Sequence, residues 1–167
     1  IGATNEPGLS LYQAADRFGR VVELGKKMGV KPQLEMWGFS KNLHLIGETL
    51  LVASECGHED ALLLLDVYHM RRGGSPTQSL DYVRGGNIEV FHMNDYPQVD
   101  DRNKLTDAMR VMPGDGVAPI KQIIQILAEK NQPIVLSLEI FNEDVWKMDA
   151  LAACKLGIEK MKKVVSW

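Results

Sequence analysis

Three carboxylates and one imidazole stand at the ends of four short apolar runs, one to each run. The runs are LEMWG with Glu35, LLLLDVYH with Asp66, IEVFH with His92 and IVLSLEIFN with Glu139. A charged group at the tip of a buried strand is costly unless something compensates it. Four such tips meeting at the mouth of a parallel barrel would hold one cation. An oxygen-rich set with one imidazole suits a hard or borderline divalent ion, Mn2+, Mg2+ or Co2+, better than a thiolate-bound metal, and it also accommodates Zn2+. Glu139 has apolar residues on both sides, and a Glu inside a buried strand needs a partner. Each member has a plainer reading alone: Glu35 as a surface carboxylate, Asp66 as a cap for the next loop, His92 as a hydrogen-bonded core residue.

Other residues gather around these four. The strand pleat puts Asp66 and Tyr68 on one face, and His69 falls just past the strand, where the chain curls over the mouth. Arg110 opens RVMPGDG. It either returns over the mouth to contact substrate oxygens, or the PGDG turn is simply a helix entry with Asp115 near the N-cap. Trp37 and Phe141 each lie two residues beyond a candidate ligand. They would wall the apolar side of a sugar pocket or pack in the core. Asp95, Arg71 and Arg72 read as loop residues.

These side chains need elements to position them, and strand and helix signals alternate along the chain. Residues 1–9 read as a loop. A helix starts at Ser10, with Gln13 completing a capping box, and stops at Gly29. A strand is predicted over 32–37, a helix over 42–55 and a strand over 61–68. The continuous LLLL run fits a strand buried on both faces. Ser75-Pro76-Thr77-Gln78 predicts a third helix start, ending at Gly85-Gly86, before a strand over 88–92. A long loop over 93–116 precedes a helix over 117–130. The last strand is predicted over 133–140 and the last helix over 144–165, with Leu151, Cys154, Ile158, Met161 and Val165 as its buried stripe.

This alternation means α/β with a parallel sheet and right-handed crossovers. An open doubly wound sheet usually carries a glycine-rich phosphate turn after its first strand, and WGFSKN is not one. A (β/α)8 TIM-barrel-type fold needs eight strands and about 250 residues. Four βα units are present, and the first helix lacks a preceding strand. Residues 1–167 therefore read as a single domain, the C-terminal half of a barrel, strands five to eight. A half-barrel would expose two strand edges and an apolar face, so we expect a homo-oligomer or pairing with the missing barrel half.

Composition narrows the partners. The 167 residues carry a net charge of −3, which gives no broad attraction to nucleic acid or anionic membrane. No apolar run approaches the roughly 20 residues of a spanning helix. Cys56 and Cys154, the two cysteines, make no disulfide framework and read as small buried residues.

The segments LEMWG, LLLDVYHMRRGGSP, FHMNDYP, RVMPGDG and LSLEIFN resemble the xylose-isomerase-like TIM-barrel superfamily, over nearly the whole chain. The resemblance implies Glu35, Asp66, His92 and Glu139 as metal ligands. It also implies His69 and Arg110 as contacts to substrate oxygens, with Arg102 as a rival for the second. The implied activity is a sugar or sugar phosphate isomerase or epimerase with a divalent ion, Mn2+ foremost. The ion would acidify a C–H by stabilising an enediolate, with Glu35 and Glu139 exchanging the proton. The partner would be a small sugar-like molecule. Alternatives within the resemblance are an inosose-dehydratase-like lyase and an endonuclease-IV-type nuclease. The nuclease uses more histidines than the four here, His44, His58, His69 and His92. A non-catalytic half-barrel module is a third class.

Overall fold

The computed structural model describes residues 8–166, so most of the loop expected over 1–9 lies outside the described residues. Helix α1 (Leu11–Met28) opens with the expected capping box: Ser10 Oγ accepts from the Gln13 N–H, and the Gln13 side chain accepts from the Ser10 N–H. It closes at Gly29, whose φ of +69° favours glycine. Ser10→Ala should lower unfolding stability by about 1 kcal/mol. Urea denaturation would measure this, and Ser10→Asp should restore most of it.

Strand β1 (Gln33–Glu35) and helix α2 (Ile46–Glu55) follow. The helix starts four residues later than Asn42. Ser40 Oγ accepts from the Asn42 and Leu43 N–H groups, which holds that stretch in a turn. Glu48 Oε2 instead accepts from the His44 and Leu45 N–H groups at the true helix entry. Strand β2 (Leu62–Asp66) runs directly into α3 (Val67–Gly73). Tyr68 is therefore helical and does not share a strand face with Asp66, and His69 sits in the first turn of α3 rather than in a loop.

The third predicted helix forms only as a 3-10 turn over Thr77–Tyr82. Ser75 is not its cap, since Ser75 Oγ accepts from the Ile46 N–H of α2. So short a segment gains little from α-helical nucleation. Strand β3 (Val90–Met93), helix α4 (Ile120–Glu129) and strand β4 (Val135–Leu138) come next. Asp115 does not cap α4, whose N-cap is Pro119; it pairs with Lys160. The last predicted helix is two, α5 (Glu143–Trp146) and α6 (Ala150–Val165), with Asp149 capping the second.

The sheet order is β1-β2-β3-β4, every pair parallel. An open doubly wound sheet reverses its order at a switch point; this one does not. Sequential order with right-handed crossovers puts all the helices on one side, as in a barrel. Leu34, Leu63, Leu65, Phe91 and Met93 make the buried face of the sheet, and Phe18, Val22, Ile46, Val52, Ile123 and Val164 pack with them from the helices.

The α6 stripe differs from expectation. Leu151, Ile158 and Val165 are 62%, 55% and 51% exposed, and Cys154 is exposed too. The buried line is Gly157, Met161 and Val164. Gly157 lets the helix approach β4, since a Cβ there would meet Leu138 Cδ2 at 2.6 Å. The apolar face of α6 is wide enough for neighbours on two sides, and the described residues supply one. At the sheet edge Val135 is 63% exposed. No helix among the described residues is long and apolar enough to cross a membrane.

Candidate functional site

Register places the four strand-tip residues on one face. Glu35 pairs with Leu64, and Asp66, two residues on, has the same orientation. Asp66 pairs with His92, and His92 with Ser137. Glu139 lies two residues beyond Ser137, and its N–H bonds to Met93 O. All four therefore stand at the C-terminal ends of adjacent parallel strands, on the face opposite Leu65, Phe91 and Met93. In a parallel barrel this is where reacting groups gather. A separate cleft lined by Ser54, His58, Tyr82, Arg84 and Asn87 lies at the other end of the strands and holds no comparable group of carboxylates.

Asp66 is buried and serves two purposes. Its Oδ1 accepts from the His69 N–H at 2.8 Å, capping α3. Its Oδ2 accepts from Asn94 Nδ2 at 2.8 Å and Arg110 Nη1 at 3.1 Å. The cap and the site contact are thus the same side chain. Burial pushes its pKa up to about 6, against the pull of Arg110. Arg110 Nη1 also donates to Glu139 Oε2 at 2.7 Å. The His92 Nδ1 lies 3.4 Å from that oxygen and 3.8 Å from Asp66 Oδ2, and it is buried without a hydrogen-bond partner.

The two glutamates are driven apart. The His92 imidazole 3.4 Å away, then the charge and hydrogen bond of Arg110, hold the Glu139 carboxyl down at about 2. Burial, then the Glu139 charge, raise that of Glu35. Burial works against a charge on His92, but Glu139, Asp66 and Glu35 outweigh it and the imidazole pKa rises. His69 goes the other way, lowered to about 3 by burial and then by Arg110. Its Nε2 lies 3.0 Å from Arg110 Nη2. A guanidinium only donates, so Nε2 accepts and the proton sits on Nδ1, which is buried with no partner.

The tightest grouping of ligand-type atoms is Asp66, His69 and Glu139, within 4.8 Å of one another. It differs from the expected set by including His69 in place of Glu35 and His92. All three contact the Arg110 guanidinium, and that shared contact gathers them. The donor chemistry nonetheless fits a divalent cation, since the Asp66 and Glu139 carboxylates lie 3.8 and 3.4 Å from the orphaned Nδ1 of His92. Arg110, not Arg102, reaches the cluster: Arg102 Nη1 donates to the Arg72 and Gly73 carbonyls at the end of α3.

Of the two candidate aromatic residues, only Phe141 contacts the cluster directly. Phe141 lies under the Arg110 guanidinium at 5.0 Å, and Tyr68 at 4.5 Å. Trp37 stacks instead on Phe39 at 5.6 Å, and Phe39 in turn meets Tyr68 and His69. Trp37 is thus one ring removed from the cluster. Arg71 donates to Val99 O, and Arg72 to Asn103 Oδ1, so both hold the long loop.

Two residues escaped sequence reasoning. Asn94 is fully buried, accepts from the Tyr68 N–H and donates to Asp66 and to Glu139 O. Its signal was its spacing, two residues after His92 and so on the same face. Asp107 Oδ1 accepts from Arg110 Nε and Nη2 at 3.2 and 2.8 Å. It lies in a 3-10 turn within the long loop, where no periodicity marks it.

Comparisons with known proteins agree with this architecture. A family model described as xylose isomerase-like TIM barrel matches residues 2–164. An inosose isomerase of Halalkalibacterium halodurans is 30% identical over 145 residues, covering 86% of this chain and 51% of that protein. One from Bacillus subtilis is 25% identical over 154 residues, 92% of this chain and 55% of that protein. The chain thus spans about half the length of the curated relatives it matches. Among solved structures, an IOLI protein with a binding zinc atom superposes with a TM-score of 0.87 at 25% identity, over 93% of this chain and 56% of that one. An L-ribulose 3-epimerase shares the fold, with a TM-score of 0.73 at 20% identity over 93% of this chain and 54% of that one. With its sequential parallel strands and strand-tip carboxylates, this chain belongs to the xylose isomerase-like TIM barrel family.

Proposed function

We propose that this chain carries the ion-binding, proton-transferring half of a sugar isomerase or epimerase acting on a small polyhydroxylated ketone of the inosose or ketose class. The observation that carries this reading is the set of three carboxylates and one imidazole on one face at the C-terminal ends of adjacent parallel strands, where a parallel barrel gathers its reacting groups. The inosose isomerase relatives and the zinc atom bound by the IOLI protein support it.

Glu35, Asp66, His92 and Glu139 would hold a divalent ion, Mn2+ by preference for so oxygen-rich a set. Such an ion polarises a carbonyl and a neighbouring hydroxyl, making the adjacent C–H more acidic. Glu139 takes the proton from that carbon. Glu35 returns one. His69, neutral, offers its unpartnered Nδ1–H to a substrate oxygen. Phe141 presents an apolar surface to the sugar.

The test is to incubate the 167-residue chain with Mn2+ and a panel of inososes and ketoses in D2O. Deuterium should enter at the carbon beside the carbonyl of at least one of them. A chain that takes up Mn2+ yet exchanges none would defeat the isomerase reading.

We further propose that the isolated chain pairs with a second copy of itself through its open sheet edges. Rotation by a half-turn about an axis along the strands keeps all eight strands parallel. It sets β4 of one copy beside β1 of the other, covering backbone groups that an edge leaves unpaired, and the exposed α6 residues would gain a neighbour. Sedimentation should give twice the 18.6 kDa of one chain, and a monodisperse single chain would overturn the pairing.

A further inference from the structure

The Arg110 guanidinium is only 1% exposed and faces carboxylates on two sides. On its inner side Nη1 donates to Asp66 Oδ2 and Glu139 Oε2. On its outer side Nε and Nη2 donate to Asp107 Oδ1. The two inner oxygens belong to residues proposed above as ligands and are the ones nearest His92 Nδ1, at 3.8 and 3.4 Å, so a divalent ion held among these groups would lie beside the guanidinium. Two cations cannot share them at contact distance without strong repulsion.

The backbone of Arg110 is fixed on both sides. Its N–H bonds to Asp107 O, its carbonyl accepts from Asn142 Nδ2, and Val111 exchanges two backbone hydrogen bonds with Asp95. Any shift of the guanidinium away from the inner carboxylates is therefore a side-chain movement, and Asp107, already within hydrogen-bond distance at 2.8 Å, would move with it. Asp107 is half-exposed, and water screens that outer pair more than the inner one.

We infer that Arg110 is a resident cation competing with the divalent ion for Asp66 and Glu139, and that Asp107 is the positioning residue that retains the guanidinium when those carboxylates pass to the ion. This rests on the ion-binding reading above. The competition keeps two like-charged ligands together and balanced, and it sets the affinity of the site below what the four ligands alone would give. Once displaced, the guanidinium stays charged and beside the site, held where it can meet a substrate oxygen.

Calorimetric titration of Mn2+ into the wild-type chain, R110Q, D107N and the double variant tests this. R110Q should bind about tenfold tighter or more, a difference of about 1.4 kcal/mol. D107N should weaken binding while Arg110 is present and lose most of that effect in the R110Q background, a coupling that the double-mutant cycle isolates. R110Q binding no tighter than a wild type that does take up Mn2+ would overturn this inference alone. Uptake by neither protein would overturn the ion reading and this inference with it. The wild-type chain supplies a second readout, independent of how R110Q folds: titration with diamagnetic Zn2+ should shift the Arg110 Nε–H resonance while its exchange with water stays slow. An unshifted resonance at saturating Zn2+ would overturn the displacement.

Discussion

Replacing Glu139 by Gln is expected to abolish stoichiometric Mn2+ uptake and to lower C–H exchange at least about a hundredfold. The amide keeps the volume and most of the hydrogen bonding but removes the charge. Glu139 Oε2 is where His92 and Arg110 converge, at 3.4 and 2.7 Å. Without its charge the site keeps Glu35 and Asp66, and burial already pushes both toward protonation. A neutral carboxyl is a poor ligand, so the loss should exceed that of one donor in four. Calorimetry measures the uptake, and far-UV circular dichroism checks that the variant folds. Unchanged Mn2+ uptake would remove Glu139 from the ligand set.

Asp95→Ala is expected to cost about 3–5 kcal/mol of stability, without touching any proposed ligand. Asp95 is buried. Its Oδ1 accepts from the Tyr96 and Ala118 N–H groups, each at 2.8 Å, and its Oδ2 from those of Gly114 and Gly116, each at 3.0 Å. One carboxylate thus satisfies four backbone donors and shapes the whole PGDG turn. Gly116 packs so closely that a Cβ would meet Asp95 Oδ1 and Tyr96 O. Removing the carboxylate strands four donors, each costing about 1–3 kcal/mol when buried, less what water recovers. Asp95→Asn keeps one acceptor and should lose roughly half as much. Urea denaturation midpoints decide it, and a loss below about 1 kcal/mol would show that the turn holds without Asp95.

The alternation of strands and helices was legible because each strand is a short apolar run and each long helix carries its own start or stop. The site was legible for a related reason: a charged residue inside an apolar run, as at Glu139 or Asp66, violates the local pattern and so marks itself. Asp66 also shows the limit. The run LLLLDVYH carries no sign that the strand stops at Asp66, because Val67, Tyr68 and Met70 are as buried in α3 as strand residues would be. The loop residues were least legible. Asp95 and Asp107 lie in a polar segment where one more carboxylate is unremarkable, and only tertiary contacts distinguish them. On α6, periodicity marked an apolar face correctly, but burial depends on a neighbour that sequence pattern alone does not supply.

Strand order that follows chain order has a consequence for how the chain acquires its ion. Each strand can dock on the one before it, with no earlier strand waiting for a later one to insert. Each pairing still spans a crossover of more than twenty residues, so parallel docking is slow and each strand waits on the one before it. Glu139 follows the final strand, so the ligand set is complete only after β4 has docked. Among the described residues of a single chain β4 is also an edge, with Val135 63% exposed, and so weakly packed an element opens early. A ligand that binds only the docked form stabilises it by about 2.7 kcal/mol at a hundredfold excess over its dissociation constant. The ion would therefore act as a latch on the last strand, slowing amide exchange in Val135–Leu138 more than in the interior strands β2 and β3.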